Sequence, residues 1–183
     1  ETIVVNGITY TITSIESSAF KNCTSLTSIT IPEGVTTIGS NAFENCSSLS
    51  SVVWNAKNYM GKEEPFSSIA DQITSFVIGN NVEDIPYSLC SGMSSLQSIT
   101  IPNSVKSIGN FAFRDCRSLT SITIPEGVEQ IGYGVFARCS LRSLTVEEGN
   151  STYNSRENCH AIIETATNTL IAGCGNTTIP ESV

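Results

Sequence analysis

The chain has 183 residues and few charges, with 9 basic and 17 acidic side chains and a net charge of −8. This balance argues against nucleic acid and anionic lipid as partners, because both need clustered Lys and Arg side chains. The longest apolar runs are far shorter than the roughly 20 residues of a membrane helix. Serine and threonine are abundant, with 27 Ser and 20 Thr, or about a quarter of the chain.

The N-terminal segment predicts a short hairpin. Residues 3–12 contain two runs of β-favouring residues on either side of Asn6-Gly7, a dipeptide typical of two-residue hairpin turns. We expect residues 1–14 to cap the N-terminal end of the structure that follows, as terminal segments of repeat proteins do.

Residues 15–146 repeat one apolar pattern at intervals of 23 or 24 residues. One position of the pattern holds Phe in five coils and Cys in one: Phe20, Phe43, Phe66, Cys90, Phe113 and Phe136. In the first coil, Ile29 and Ile31 are spaced as on one side of a strand, and Pro32, which lacks an N–H, ends that strand. The Ala-Phe-x-x-Cys segment has the spacing of one helical or 3-10 turn. Since one coil cannot bury these residues alone, neighbouring coils must stack.

The repeat predicts an α/β repeat solenoid of the leucine-rich type. It would have about six coils of 23 residues, each with a strand and a short helical or 3-10 turn, and hairpin-like caps at both ends. After Val146 the pattern breaks, and residues 161–164 and 169–172 flank a predicted second hairpin turn at 165–168. We expect one domain over 1–183, divided into a cap hairpin (1–14), repeats (15–146) and an irregular hairpin segment with the start of a further repeat (147–183).

A longer motif, Ile-Pro-x-x-Val-x-x-Ile-Gly-x-x-Ala-Phe-x-x-Cys-x-Ser-Leu, is complete from Ile101 to Leu119. It resembles the repeat of the BspA-like class of bacterial leucine-rich repeats. The stretch from Asn154 to Cys174 is similar to a segment found in such proteins of gut bacteria. The resemblance implies a secreted or surface-anchored bacterial protein that binds host proteins, without enzyme activity. It implies an extracellular or cell-surface location. No segment typical of a secretion signal is present, so we expect any signal to have been removed.

The residues offer little for catalysis. His160 is the only histidine, and its neighbour Cys159 would point to the opposite side of a strand. Paired carboxylates stand in predicted loops, where solvated turn charges are common: Glu63-Glu64, Glu83-Asp84 and Glu147-Glu148. No phosphate loop, dinucleotide motif or zinc spacing occurs. We therefore predict no enzyme activity, no catalytic residue, no metal site and no cofactor.

Seven cysteines leave the question of disulfides open. Four share one repeat position and are expected to pack as small apolar residues: Cys23, Cys46, Cys116 and Cys139. Their sulfur atoms would stack closely enough that bonds between coils remain an alternative. A hairpin turning at 165–168 would place Cys159 opposite Cys174, where a cross-strand disulfide is an open alternative.

The outward positions of the strands form two columns. If Ile29 and Ile31 point inward, Ser28 and Thr30 point outward. The first column holds serine in every coil: Ser28, Ser51, Ser75, Ser98, Ser121 and Ser143. The second column holds Thr30, Val53, Val77, Thr100, Thr123 and Thr145. We predict this face as the candidate partner-binding surface, with the alternative that small hydroxyl residues merely suit strands and were inherited by duplication.

These observations favour a non-catalytic cell-surface module for protein binding or adhesion. Expected partners are host or bacterial surface proteins, with glycans as a further alternative, and neither nucleic acid binding nor membrane insertion by this segment is expected. The alternative function is a structural spacer or stalk with no ligand of its own.

Overall fold

A computed structural model describes residues 2–5 and 8–183, with side chains from Thr11 onward. The chain folds as a β-solenoid of about six turns. The strands are β1 Thr2–Val5, β2 Ile8–Thr11, β3 Ser14–Ile15, β4 Ser28–Ile31, β5 Thr37–Ile38, β6 Ser51–Trp54, β7 Ser75–Ile78, β8 Asp84–Ile85, β9 Ser107–Ile108, β10 Ser121–Ile124, β11 Gln130–Ile131, β12 Ser143–Val146, β13 Tyr153–Asn154, β14 Ala161–Glu164 and β15 Thr169–Gly173. Strands β1 and β2 pair antiparallel, while the predicted turn at Asn6-Gly7 lies outside the described residues.

Two sets of parallel strands run along the solenoid. Within the repeats, the strands of four residues form the parallel sheets β4–β6–β7 and β10–β12. The strands of two residues form the parallel sheets β3–β5 and β8–β9–β11. We number the coils 1 to 6 by the Phe or Cys column that begins at Phe20 and ends at Phe136. The outer surface of the four-residue strands, together with residues 98–101, is called the sheet face. The outer surface of residues 17–24 and of the equivalent residues in the later coils is called the turn face.

The predicted α/β class and the helical turn in each coil are not confirmed. The described residues contain no α-helix, and their 3-10 helices are limited to Ser67–Gln72 in coil 3 and Arg156–Asn158. In coil 1, Ser18 and Asn22 have positive φ angles of 60° and 64°. Such residues interrupt a helix and turn alternate N–H groups toward the next coil. The N–H of Phe20, for example, donates to the carbonyl of Ala42 at 2.8 Å.

The core runs through the stack of coils as one cluster, from Ile31 to Ile162. Its centre is the predicted Phe column, in which Phe43 stacks between Phe20 and Phe66 with ring centroids 5.4 and 5.2 Å apart. Trp54, at the position of Ile31, is fully buried. The coils are therefore held together by continuous apolar packing in addition to their backbone hydrogen bonds.

The cysteine column also links successive coils. The thiols of Cys46 and Cys139 each donate to the carbonyl of the Phe residue one coil earlier, Phe20 and Phe113, at 3.0 Å. Burial raises the pKa of the Cys90 thiol, at the substituted Phe position, well above its ordinary value. The Cys90 thiol therefore packs in the core and has little thiolate character.

The C-terminal strands β13, β14 and β15 form an antiparallel sheet, and the predicted turn at 165–168 is confirmed. The cross-strand disulfide left open between Cys159 and Cys174 is not present in the structure, where both are free thiols. A bulge between Ile162 and Ile163 shifts the register by one residue, so that Ala161 pairs with Gly173. This shift brings Cys174 beside His160, whose carbonyl accepts a hydrogen bond from the Cys174 thiol at 3.3 Å. The prediction that Cys159 faces Cys174 assumes a hairpin without a bulge, and so it does not include this shift.

Candidate functional site

The alternation predicted for the strands is confirmed. In β7, Ser75 and Val77 are exposed, whereas Phe76 and Ile78 are buried. Strand β10 shows the same order of exposed and buried residues. The sheet face therefore consists of the Ser and Thr columns, and the apolar residues between them belong to the core.

The serine column lies in register along the sheet face. Ser51 pairs with Ser28 on one side and with Ser75 on the other, and Ser121 pairs with Ser143. Four of the six serines are exposed, at positions 28, 75, 98 and 121, and those at 51 and 143 are half-buried.

The threonine column runs beside the serines. Thr30, Thr100 and Thr123 are exposed and Thr145 is half-buried. The hydroxyl groups of Thr123 and Thr145 lie 3.1 Å apart and form a hydrogen bond across β10 and β12. The face thus presents hydroxyl donors and acceptors at regular intervals, and few charges.

The sheet is interrupted at coil 4. Residues 97–101 form no strand and make no backbone hydrogen bond with the described residues of coil 3 or coil 5. In a regular coil the backbone N–H groups of Ser51 and Asn55 donate to the preceding coil at 3.3 and 3.0 Å. Among the two-residue strands, β8 of coil 4 pairs with β9 of coil 5, but no strand in the described residues of coil 3 pairs with β8. Between coils 4 and 5 the stack therefore opens on the sheet face, whereas between the described residues of coils 3 and 4 neither set of strands is paired.

Two clefts border the interrupted segment. One, of about 390 Å³, lies between coils 3 and 4, and Ser75, Val77, Ser98 and Thr100 are among its lining residues. The other, of about 240 Å³, lies between coils 4 and 5 and includes Glu147, its only charged lining residue. At the inward position next to the first cleft, coil 3 has Phe76 where the other coils have a smaller aliphatic residue. Phe76 is itself among the residues that line this cleft.

Cys159 and His160, the pair considered for catalysis, lie between the 3-10 helix Arg156–Asn158 and strand β14. Cys159 is buried, and its thiol donates to the carbonyl of Ala161 at 3.8 Å. The Nδ1 atom of His160 is buried and has no hydrogen-bond partner among the described residues. Within the same part of the chain, no group of three or more His, Cys, Asp or Glu side chains could hold a metal ion. No helix of the described residues is long and apolar enough to cross a membrane.

A group of aromatic and arginine residues on the turn face of coils 4 to 6 was not predicted from the sequence. Tyr87 and Tyr133 are strongly exposed, and Phe111 lies between them. The available signal was the departure of these coils from the first two, where the positions of Tyr87 and Tyr133 hold Ser17 and Ser40. A column that is constant along the repeats gives no sign of such differences.

The repeat and the solenoid together define a leucine-rich repeat protein. The BspA type leucine rich repeat region matches the chain in six copies, over residues 5–103 and 84–181. The chain therefore belongs to the BspA-type leucine-rich repeat family. No curated protein is significantly similar to it in sequence.

Solved structures of bacterial proteins share the fold. A leucine rich cell surface protein from Faecalibacterium prausnitzii is 27% identical, with a TM-score of 0.58 over 93% of this chain and 52% of that protein. The pneumococcal vaccine antigen PcpA is 20% identical, with a TM-score of 0.68 over 100% of this chain and 48% of that protein, and is similar in fold alone. The chain thus spans about half the length of these two proteins.

Proposed function

We propose that this chain is a non-catalytic, surface-exposed module for protein binding or adhesion, and that partners bind on its sheet face. The observation that best supports this is the interruption at residues 97–101. There, backbone polar groups without partners among the described residues lie between two clefts lined by hydroxyl side chains. Unpaired backbone groups are suited to hydrogen bonding with the main chain of an extended partner segment.

A protein partner suits this surface better than a glycan. Val77, which is 51% exposed, presents an apolar side chain in the larger cleft beside the Ser75 and Ser98 hydroxyl groups. The aromatic residues nearest the sheet face, Trp54 and Phe76, point inward and are buried. The sheet face therefore lacks exposed rings on which a sugar would stack, whereas an extended peptide could use its hydroxyl and backbone groups.

We further propose that residues 1–183 act as one module located outside the cell or anchored at its surface. The continuous core supports the single unit, in which residues 1–14 would cap the repeats of 15–146, and 147–183 would end in the start of another repeat. The cell-surface description of the Faecalibacterium protein supports the location. Host or bacterial surface proteins are the proposed partners.

The alternative function is a spacer or stalk with no ligand of its own. It is favoured by the constancy of the serine column, which occurs in all six coils and is what duplication without selection for a ligand would leave. A spacer would need stacked coils but would not need an accessible opening at residues 97–101.

Positive charges introduced on the sheet face would distinguish a binding module from a spacer. We would test the double variant Ser98→Lys/Ser121→Lys, since both side chains are exposed and border the clefts. The matched control is Ser17→Lys/Ser40→Lys, which adds the same charge to exposed positions of the turn face. The assay measures binding to immobilised, purified host extracellular-matrix proteins and to purified bacterial surface proteins.

We expect the sheet-face variant to bind at least about tenfold more weakly, because an unpaired cation would be buried in the interface. The control variant should bind as the unsubstituted chain does. Equal binding by all three proteins would refute the sheet face as the binding site. Absence of binding to every protein of both sets would favour the spacer.

A further inference from the structure

The turn face of coils 4 to 6 exposes a row of three aromatic rings. The centroids of Tyr87 and Phe111 lie 6.1 Å apart, and those of Phe111 and Tyr133 lie 5.5 Å apart, both pairs in edge-to-face geometry. Tyr87 is 47% exposed and Tyr133 is 77% exposed. Exposed tyrosine side chains next to one another are typical of residues that contribute strongly to protein interfaces.

Phe111 occupies this row at a conformational cost. Its φ angle is 58°, in the left-handed region that a bulky side chain rarely adopts. The same position in the other regular coils holds small or polar residues: Ser18, Asn41, Ser88 and Gly134. The Phe111 ring lies against Gly134, where an added Cβ would approach it to 2.7 Å. If this position served only to form the turn, Ser, Asn or Gly would do so with less backbone strain. The Phe111 ring therefore indicates a role besides folding.

Three arginines adjoin the aromatic row. The Arg114 guanidinium lies 5.5 Å from the centre of the Phe111 ring. Arg114, Arg117 and Arg138 all approach the carboxylate of Asp115, at 3.3, 3.0 and 3.8 Å. Since three cations share one carboxylate, the cluster keeps an excess of positive charge in a chain whose net charge is −8. Asp115 holds the guanidinium groups together without neutralising them.

We name this surface the aromatic–arginine patch: Tyr87, Phe111, Tyr133, Arg114, Arg117 and Arg138. It does not extend over the whole turn face. Tyr87 also borders a pocket of about 360 Å³ lined in part by Lys62, Glu63 and Glu64. The positive region is therefore bounded by carboxylates on the coil 3 side. In coils 1 and 2, the positions of Arg117 and Arg138 hold uncharged residues, Thr24, Ser47, Asn22 and Asn45.

We propose that the aromatic–arginine patch docks an acidic segment of a partner protein. Carboxylates of that segment would pair with Arg117 and Arg138, whose side chains are each 66% exposed. Its apolar side chains would pack on Tyr133 and Phe111. Arginine is suited to this task because its planar guanidinium binds a carboxylate in a bidentate manner, and the local positive charge attracts an acidic segment before contact. This surface is distinct from the sheet face.

The test uses fluorescence anisotropy with a labelled synthetic peptide of alternating Glu and Leu. A second peptide of equal length has Lys in place of each Glu. We expect the chain to bind the Glu peptide, with affinity that falls as salt is raised, and to bind the Lys peptide far more weakly. Both Arg117→Ser/Arg138→Asn and Tyr133→Ser should weaken binding of the Glu peptide by about tenfold or more.

Each substitution introduces a residue that another coil has at the same position, so the turns should be retained. Thermal unfolding of each variant checks this directly. The matched control is Arg142→Gln, which removes an exposed arginine immediately before β12, outside the turns. Loss of binding in the patch variants but not in the control supports the proposal. Equal binding of both peptides, no binding of the Glu peptide, or unchanged binding by the folded patch variants would overturn it.

Discussion

The sheet face and the turn face are built from the same coils but vary differently along the solenoid. On the sheet face, serine recurs at one position in all six coils. On the turn face, coils 1 and 2 present small polar residues such as Ser17 and Asn41, whereas coils 4 to 6 present Tyr87, Phe111 and Tyr133. In a duplicated array, a constant position reflects packing, strand preference or inheritance. A position that departs in only some coils indicates a local requirement that the repeat does not impose.

Two phenylalanines of coil 5 show this contrast within three residues of chain. Phe113 belongs to the constant column, is fully buried, and stacks on Phe136 with ring centroids 5.8 Å apart. Phe111 is half-buried, has a positive φ angle, and stands where other coils have Ser, Asn or Gly. The same residue type therefore packs in the core at Phe113 and contributes to the surface at Phe111.

The largest expected effect is on the constant column. Replacing Phe113 with Ala removes a fully buried ring and leaves a cavity between coils, so the free energy of unfolding should fall by about 3–5 kcal/mol. Urea unfolding followed by circular dichroism measures the change. A loss below about 1 kcal/mol would mean that neighbouring coils collapse around the gap, and the column would not be the main support of the stack.

A smaller effect is expected two residues earlier. Phe111→Asn should relieve about 1–2 kcal/mol of left-handed strain and lose about 0.5–1.5 kcal/mol of aromatic contact. The free energy of unfolding should therefore change by less than about 1 kcal/mol, in the same urea experiment. A loss as large as that of Phe113→Ala would show that Phe111 is a core residue, and the distinction between the two faces would not hold at this position.

The smallest effect concerns a single carboxylate. The hydrogen bond from Arg117, with the neighbouring Arg138 and Arg114 charges, holds the pKa of Asp115 below its ordinary value. A carboxylate with a lowered pKa in the folded state favours folding above its unfolded pKa, and this contribution is lost as pH falls through the folded pKa. Carbon-13 NMR titration should show Asp115 ionising at lower pH than an unpaired aspartate.

Arg117→Ser tests the cause of this shift. This substitution should raise the pKa of Asp115 toward its ordinary value, because the hydrogen bond from the Arg117 guanidinium to the Asp115 carboxylate is removed. Arg142→Gln should leave the titration unchanged. An Asp115 pKa that does not respond to Arg117→Ser would show that the arginines are not held by this carboxylate, and the patch would lack its organising contact.

Much of the fold could be predicted from spacing. Ile29 and Ile31 indicated the inward side of a strand, and the Phe column indicated the stacked centre, because both depend on periodicity within the chain. The helical or 3-10 turn predicted for every coil is not confirmed, and residues such as Ser18 and Asn22 adopt positive φ angles and bond the next coil. Cys159 does not face Cys174, because a bulge between Ile162 and Ile163 shifts the pairs that lie beyond it from the hairpin turn. The bulge has no local sequence signature.

The two candidate surfaces also differ in whether they could be predicted from the sequence. The serine column could be read from the sequence, and its register was found along β4, β6 and β7 and again between β10 and β12. Its role in binding stays a prediction. The aromatic–arginine patch joins residues from three coils, and its members become neighbours only when the coils stack.

The sequence alone determined the repeat, the family resemblance, and which residues of each strand point inward, since these follow from spacing. It could not determine where the sheet opens. Ser-Ile-Thr-Ile-Pro occurs identically at 28–32, 98–102 and 121–125, yet the first and third copies form strands and the second does not. Backbone pairing needs the neighbouring backbone within hydrogen-bond distance, and side-chain packing between coils fixes that distance. The coil before the second copy has Phe76 at the inward position where the other coils have a smaller aliphatic residue. Only the tertiary structure decided which of three identical segments would be left unpaired.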